Sequence, residues 1–344
     1  MECVERKLDP MTTKLVVADP TRTEATICLA VSPEMKRLGV KNRCRLREIP
    51  SGIEYITAMP QMALYLDYSA RIYGVFLKYV AKEDIHVYSV DEAFLDITEY
   101  MSLRHQTARD FAQMILQDIH DTLGLVATCG IGTNLYLAKI ALDILAKHAP
   151  DFIAELTEDS YREQLWDHRP LTDFWRIAHG TEARLAKIGV QTMREIAHCD
   201  EKLLYKIFGI DAELLIDHAW GRETTTIADI HAYKPKSTSL SSGQVLPRGY
   251  AYDEGRVIVR EMAEELALDM FNKRMAASSI SLYLSYSFSS MLPPSKASTK
   301  TAPTASMRRI CDTVVGLYDR IRVCLLYTSP SPRDLSTSRM PSSA

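Results

Sequence analysis

Between Pro60 and Ala149 the apolar residues change their period four times, and no other feature of the chain restricts its fold as much. Pro60 opens a segment, residues 61–82, in which Met62, Tyr65, Leu66, Ile72, Tyr73, Phe76, Tyr79 and Val80 recur at helical spacing. Residues 85–98, IHVYSVDEAFLDIT, then read as two β-branched and aromatic runs around a tight turn. The helical period returns over residues 107–123, with Phe111, Met114, Ile115, Ile119 and Leu123 on one face and Gly124 as the stop. LVATCGIG (125–132) is a buried strand, and TNLYLAKIALDILAKHA (133–149) is a further helix with Thr133 or Asn134 as its N-cap. A helix, a strand pair, a helix, a strand and a helix predict a compact α+β domain of the split βαβ kind, lacking one opening strand.

Upstream, KLVVADP is a short strand closed by a turn, and EMKRLGV a short helix ended by Gly39. From about residue 156 the chain becomes helical and short-looped, and Gly189 and Gly209 each close a helix-like run. Residues 224–239 are polar without an apolar period and read as a linker. A second small α+β domain follows: a strand over 240–246, a helix over 253–270, the alternating strand SISLYLSYS, a Ser/Pro/Lys-rich loop and a helix near 306–322. Residues 326–344 crowd Ser, Pro and Arg and read as a non-native or disordered tail.

A chain of 344 residues predicts two or more domains. No apolar run approaches the roughly 18 residues of a membrane span, and the N-terminus has no signal-peptide pattern. Seven scattered cysteines without a CxxC pair argue against a disulfide framework or zinc site and for a reducing, cytoplasmic setting. The formal net charge is only −3, yet residues 231–325 carry thirteen Lys/Arg against eight Asp/Glu. That asymmetry suits either a lobe facing a polyanion or a surface that is simply basic.

Asp91 and Glu92 stand at the tip of the strand pair, where the up-down alternation of a regular strand is relaxed. Two acids there are either a solvated turn or half of a site for a hard divalent cation, which takes a few carboxylates and leaves its other positions to water and phosphate. Spacing alone leaves both open.

The residues around them carry a resemblance. YSVDEAFLDIT resembles the palm motif of Y-family translesion DNA polymerases, in which Ser-x-Asp-Glu-Ala supplies metal-binding acids. In the same order, VVADPTRTEATICLAVSPEMKRLGV resembles the fingers, CGIGTNLYLAKIALDILAKHAP the palm helix after its strand, FWRIAHGTEARLAKIGVQTMREIA the thumb helix-hairpin-helix, and the region from Lys236 onward the little finger. UmuC-like members of Gram-positive type are the most alike.

The resemblance implies a palm at residues 60–160, fingers at 24–59 after a start segment at 1–23, a thumb at 161–223, a linker at 224–239 and a little finger at 240–325. It implies nucleotidyl transfer from a dNTP to a primer on template DNA, as damage-tolerant repair synthesis in an SOS response, with two Mg²⁺ ions. Asp91 and Glu92 match the metal-binding pair. Lys36 and Lys147 match phosphate-binding positions for the nucleotide, Lys147 with a one-residue offset in its spacing; each is otherwise a solvated surface lysine. Lys139 is a further cation that suits phosphate, DNA backbone or packing. His179, Gly180 and Thr181, with Lys236, fall where DNA phosphates are gripped, and a sliding clamp and other SOS proteins are further implied partners.

The chain departs from the pattern in four places. Met1-Glu2 stands where the end of the first family strand, with its metal-binding Asp and aromatic gate, is expected. Arg176 and Ala178 replace the hairpin glycines, Pro33 stands where many relatives have Tyr, and the last little-finger strand is replaced by the tail. The expectation is therefore an inactive fragment of a polymerase. Two alternatives are a non-catalytic module that binds damaged DNA and another palm-fold Mg²⁺ enzyme such as a nucleotide cyclase.

Overall fold

The computed structural model describes residues 1–21, 24–235, 238–246, 248–286 and 292–321. They form two compact units, residues 1–233 and the part from Lys234 onward, described separately below. Among the described residues no helix is long and apolar enough to cross a membrane.

In the first unit, α1 (Glu2–Glu5) precedes β1 (Leu15–Val17), β2 (Ala30–Val31), α2 (Pro33–Arg37) and β3 (Ile56–Ala58). β1 is the middle strand of this sheet, antiparallel to β2 (Val16 opposite Val31) and parallel to β3 (Val16 opposite Thr57). The expected division at residue 23 therefore runs through one sheet. Pro33 takes the first position of α2, where a missing N–H costs nothing. Ser32 caps that helix through the Met35 N–H (3.4 Å) and also accepts from the Leu15 N–H (3.1 Å), which ties α2 to β1.

α3 (Met62–Phe76) is followed by the hairpin of β4 (Ile85–Val87) and β5 (Ala93–Leu95), then α4 (Thr98–Arg104) and α5 (Ala108–Leu123). The helix expected over 61–82 stops at Phe76. Its hydrogen bonds tighten at Lys78 and Tyr79, and the chain turns to bury Val80 beneath β4. α5 starts at the Thr107 cap and ends at Gly124 with φ +68°, as its sequence predicts. α3, α5 and the hairpin enclose a core of Tyr68, Val75, Ile85, Phe111, Ile115 and Ile119.

β6 (Cys129–Gly132) is shorter and less buried than the run predicted over 125–132. α6 (Leu135–Ile140) follows and continues as a π-helical turn, Ala141–Leu145, and a 3-10 turn, Ala146–His148. β7 (Ile153–Leu156) pairs parallel with β6. The predicted single sheet is thus two separate strand pairs, β4–β5 and β6–β7.

Five helices complete the unit's core: α7 (Glu158–Leu165), α8 (His179–Ala186), α9 (Met193–Ala197), α10 (Glu201–Phe208) and α11 (Asp211–Ala219). The presumed linker is not featureless. Residues 227–232 form α12 (Ile227–Ala232), started by a Thr226–Asp229 capping box that the polar composition concealed.

In the second unit, α13 (Tyr252–Asn272), β8 (Ala277–Leu284), β9 (Ser295–Thr304) and α14 (Met307–Ile321) make a hairpin packed on one side by two helices. Ala267, Met270, Ile280, Ile310 and Leu317 fill the space between. Two expectations are corrected. Residues 240–246 form no strand, whereas β9 lies in the stretch read as a loop. β9 escapes detection because its inward residues are small or hydroxylic (Ser295, Ala297, Thr299, Thr301), so its pairing with β8 shows no apolar alternation. The tail, 326–344, lies outside the described residues.

Candidate active site

The β4–β5 hairpin has a register that sets Val87 opposite Ala93, so residues 88–92 make its tip. The N–H groups of Tyr88 and Ser89 both donate to the Glu92 carbonyl (3.0 and 3.1 Å), which closes the tip. Ser89 Oγ donates to Asp91 Oδ1 at 2.6 Å and accepts from the Asp91 N–H at 3.3 Å. Asp91 is thus tethered within its own turn. Its neighbour is tied to another element.

Glu92 Oε2 lies 2.6 Å from Lys139 Nζ, a side chain only 7% exposed. The same ammonium reaches Asp143 Oδ2 at 3.1 Å, and Asp143 Oδ1 receives Lys147 Nζ at 2.9 Å. Burial acts to lower the Lys139 pKa, but the Glu92 and Asp143 carboxylates outweigh it and hold the value above the usual lysine range. Lys139 Nζ also lies 5.6 Å from the Tyr88 ring, and the Tyr88 hydroxyl accepts from Trp175 Nε1 at 3.1 Å.

Local sequence places Lys139 there. Asn134 caps α6 through the Leu137 N–H at 2.9 Å, and its amide donates to the Gly221 carbonyl. Gly130 and Gly132 have no side chains, so β6 can press directly onto α6: a Cβ on Gly130 would meet Ala138 O at 2.1 Å. The π turn that follows takes up one residue more than an α turn, the size of the offset in Lys147's spacing.

Lys36, on α2, is held below the usual lysine range by partial burial first and by the like charge of Lys147 second. Two lysines drawn from separate motifs therefore sense each other in the folded chain. Among the predicted site residues, Asp91, Glu92, Lys147 and Lys36 fall in one connected region. Asp143 was not recognised from the sequence, although the Lys-x₃-Asp-x₃-Lys spacing of residues 139–147 was a legible signal of an i,i+4 ion-pair ladder.

The acid pair suits a hard cation in donor type, since both groups offer carboxylate oxygens at an accessible turn. Among the described residues, however, no group of three His, Cys, Asp or Glu side chains stands ready to hold a metal. Asp91 and Glu92 are two carboxylates, and Glu92 already faces an ammonium.

His179, Gly180 and Thr181 form the first turn of α8, where the Thr181 and Glu182 N–H groups bond to the Ala178 carbonyl. The His179 side chain is 93% exposed, and nothing approaches within 4 Å of where a Cβ on Gly180 would be. The helix expected before this turn is a single 3-10 turn, Leu171–Asp173. Arg176, in the place of a hairpin glycine, nevertheless adopts a left-handed φ of +70°, with its guanidinium over Trp175. Lys236 lies outside the described residues. A groove of about 680 Å³ beside β4, lined by Leu66, Tyr73, Ile85, Val87 and His231, contains none of the predicted site residues.

Residues 2–143 match the profile of the impB/mucB/samB family. The chain is 31% identical over 289 residues to "Putative UV-damage repair protein UvrX" of Bacillus subtilis (strain 168), an alignment covering 83% of this chain and 68% of that protein. It is 30% identical over 278 residues to "DNA polymerase IV 2" of the same organism, covering 78% of this chain and 64% of the relative. The chain thus spans about two thirds of the length of these relatives. Its fold superposes on "Y-family DNA polymerase chimera Dbh-Dpo4(243-245)-Dbh" with a TM-score of 0.70, covering 95% of this chain and 93% of the other at 20% identity. At that identity the likeness is one of fold.

Proposed function

The chain belongs to the impB/mucB/samB family, and from that premise we propose that its first unit is built for template-directed nucleotidyl transfer from a dNTP to a DNA primer in damage-tolerant synthesis. The observation that carries this reading is the connected series Glu92–Lys139–Asp143–Lys147, which joins the acid pair to the cations suited to a triphosphate. Asp91 and Glu92 would hold Mg²⁺, which when bound supplies positive charge to the attacking and leaving oxygens of the transfer. Lys147 and Lys36 bind phosphate oxygens of the nucleotide, and their mutual repulsion is relieved when that anion arrives. Lys139 forms an ion pair with the Glu92 carboxylate.

The finer division into palm, fingers, thumb and little finger is part of the same reading. In it, the open first turn of α8 at His179, Gly180 and Thr181 offers the His179 and Gly180 N–H groups and the Thr181 side chain to DNA phosphates without reading sequence. The second unit presents a polar ribbon to solvent, with Lys296 beside Tyr283 and Lys300 beside Ser279 across β8–β9, which suits the backbone of a duplex.

Primer extension with Mg²⁺ on a lesion-bearing template tests the assignment. Glu92→Gln and Asp91→Asn should each lower extension at least about a hundredfold, the usual scale for losing a group that stabilises transition-state charge. Extension unchanged in both variants would refute the role of the pair. A second reading, a non-catalytic DNA-binding module, draws on the ammonium already seated on Glu92. It predicts DNA binding by the wild-type chain with no Mg²⁺-dependent binding of dNTP.

A further inference from the structure

We propose that Lys139 is the resident counter-cation of the acid pair, occupying Glu92 in the nucleotide-free protein and keeping Asp91 and Glu92 from holding a divalent ion until a triphosphate brings one in. This rests on the nucleotidyl-transfer reading of the site and adds an order of binding to it.

Three observations carry the inference. Lys139 Nζ is held at once by Glu92 Oε2 at 2.6 Å and by Asp143 Oδ2 at 3.1 Å, with the Tyr88 ring 5.6 Å away. With the side chain 7% exposed, the ammonium cannot swing into solvent to make way for another cation. The charges of the ion-pair ladder also balance: Glu92 and Asp143 contribute two negative charges, and Lys139 and Lys147 two positive ones. A locally neutral site has no field with which to concentrate a free divalent cation. Finally, the described residues bring no third metal-ligating side chain to the pair. A small hard cation held by one or two carboxylates depends on phosphate oxygens for the remainder of its shell. A triphosphate supplies those oxygens and also turns the local charge negative, with Lys147 and Lys36 as its cationic seat.

The competing view makes Lys139 a structural ion pair that fastens α6 to the hairpin. The two views differ in sign. Removing a merely structural tether loosens Glu92 and weakens metal binding. Removing a resident positive charge a few ångströms from the metal position strengthens it, because two like charges no longer share one carboxylate.

Calorimetric titration of the full chain with Mn²⁺, alone and with a non-hydrolysable dNTP analogue, decides between them. Wild type should bind Mn²⁺ weakly alone and at least about tenfold more tightly with the analogue. Lys139→Met should bind Mn²⁺ without nucleotide about tenfold more tightly than wild type, and Lys139→Arg, which keeps the charge, should stay close to wild type. Unchanged or weaker binding by a folded Lys139→Met, checked by circular dichroism, overturns the proposal; Lys139→Gln carries the same comparison if the methionine variant does not fold. Equal Mn²⁺ affinity of wild type with and without bound analogue also overturns it. Failure of wild type to bind the analogue at all overturns the nucleotide reading instead, while the nucleotide-free comparison still decides the part played by Lys139.

Discussion

A β-carbon on Gly130 would lie 2.1 Å from the Ala138 carbonyl oxygen and 2.3 Å from the Leu142 nitrogen, both backbone atoms that cannot step aside. Gly130→Ala should therefore lower stability by about 2–3 kcal/mol in urea unfolding, the upper range for overpacking, and shift Lys139 away from Glu92. A second residue-scale prediction concerns Glu223, which accepts from His218 Nε2 at 3.1 Å and from the Thr225 N–H at 2.8 Å. Burial pushes its pKa up, but these hydrogen bonds outweigh burial and bring it down to about 2. A carboxyl depressed in this way stabilises the fold above its unfolded value of about 4.5. That contribution disappears as pH falls toward 2. Glu223→Gln should remove up to about 3 kcal/mol of acid sensitivity across that window, seen as a flatter dependence of the melting temperature on pH. Asp91 and Glu92 were legible as candidates because two acids between apolar runs have no packing role. Their partners were less so, since nothing in VYSVDEAFL points to a lysine 47 positions further on.

Among elements, those with local stop and start signals match their sequences. Thr107 and Gly124 bound α5, and Asn134 caps α6. Features set by contacts far along the chain depart from them: β9 exists because its backbone finds β8, and α3 ends where packing requires Val80 inside. The turn before α8 shows a third case, in which the backbone keeps a conformation its residue does not favour. Arg176 sits at φ +70°, a region that costs a residue with a β-carbon about 1 kcal/mol or more. Arg176→Gly should accordingly be more stable than Arg176→Ala by about 1 kcal/mol in paired denaturant melts, because both lose the contact with Trp175 while only alanine keeps the strain. Equal stabilities would show that the turn relaxes when the arginine is removed.

For the whole molecule, the division at Tyr233 and Lys234 falls inside the stretch whose polarity suggested a linker, although α12 occupies part of it. Residues 1–233 should fold alone with their own cooperative thermal transition, followed by circular dichroism. If the basic second unit grips DNA, the full chain should lose affinity steeply as salt rises, and the 1–233 fragment should give a shallower slope of log K against log salt. Anisotropy titrations at several NaCl concentrations measure both slopes, and identical slopes would remove the second unit from the DNA-binding reading.

The sequence by itself determined the α+β class, the main helices with their caps, and the acid pair in its hairpin, because each depends on contacts within a few residues or on a period along one segment. Only the tertiary structure decided that Lys139 faces Glu92, that Lys36 feels Lys147, and that two predicted halves of one sheet stand as separate strand pairs. Those facts depend on distances between segments far apart in the chain. Electrostatic pairing and strand register follow such distances, and a one-dimensional pattern does not encode them.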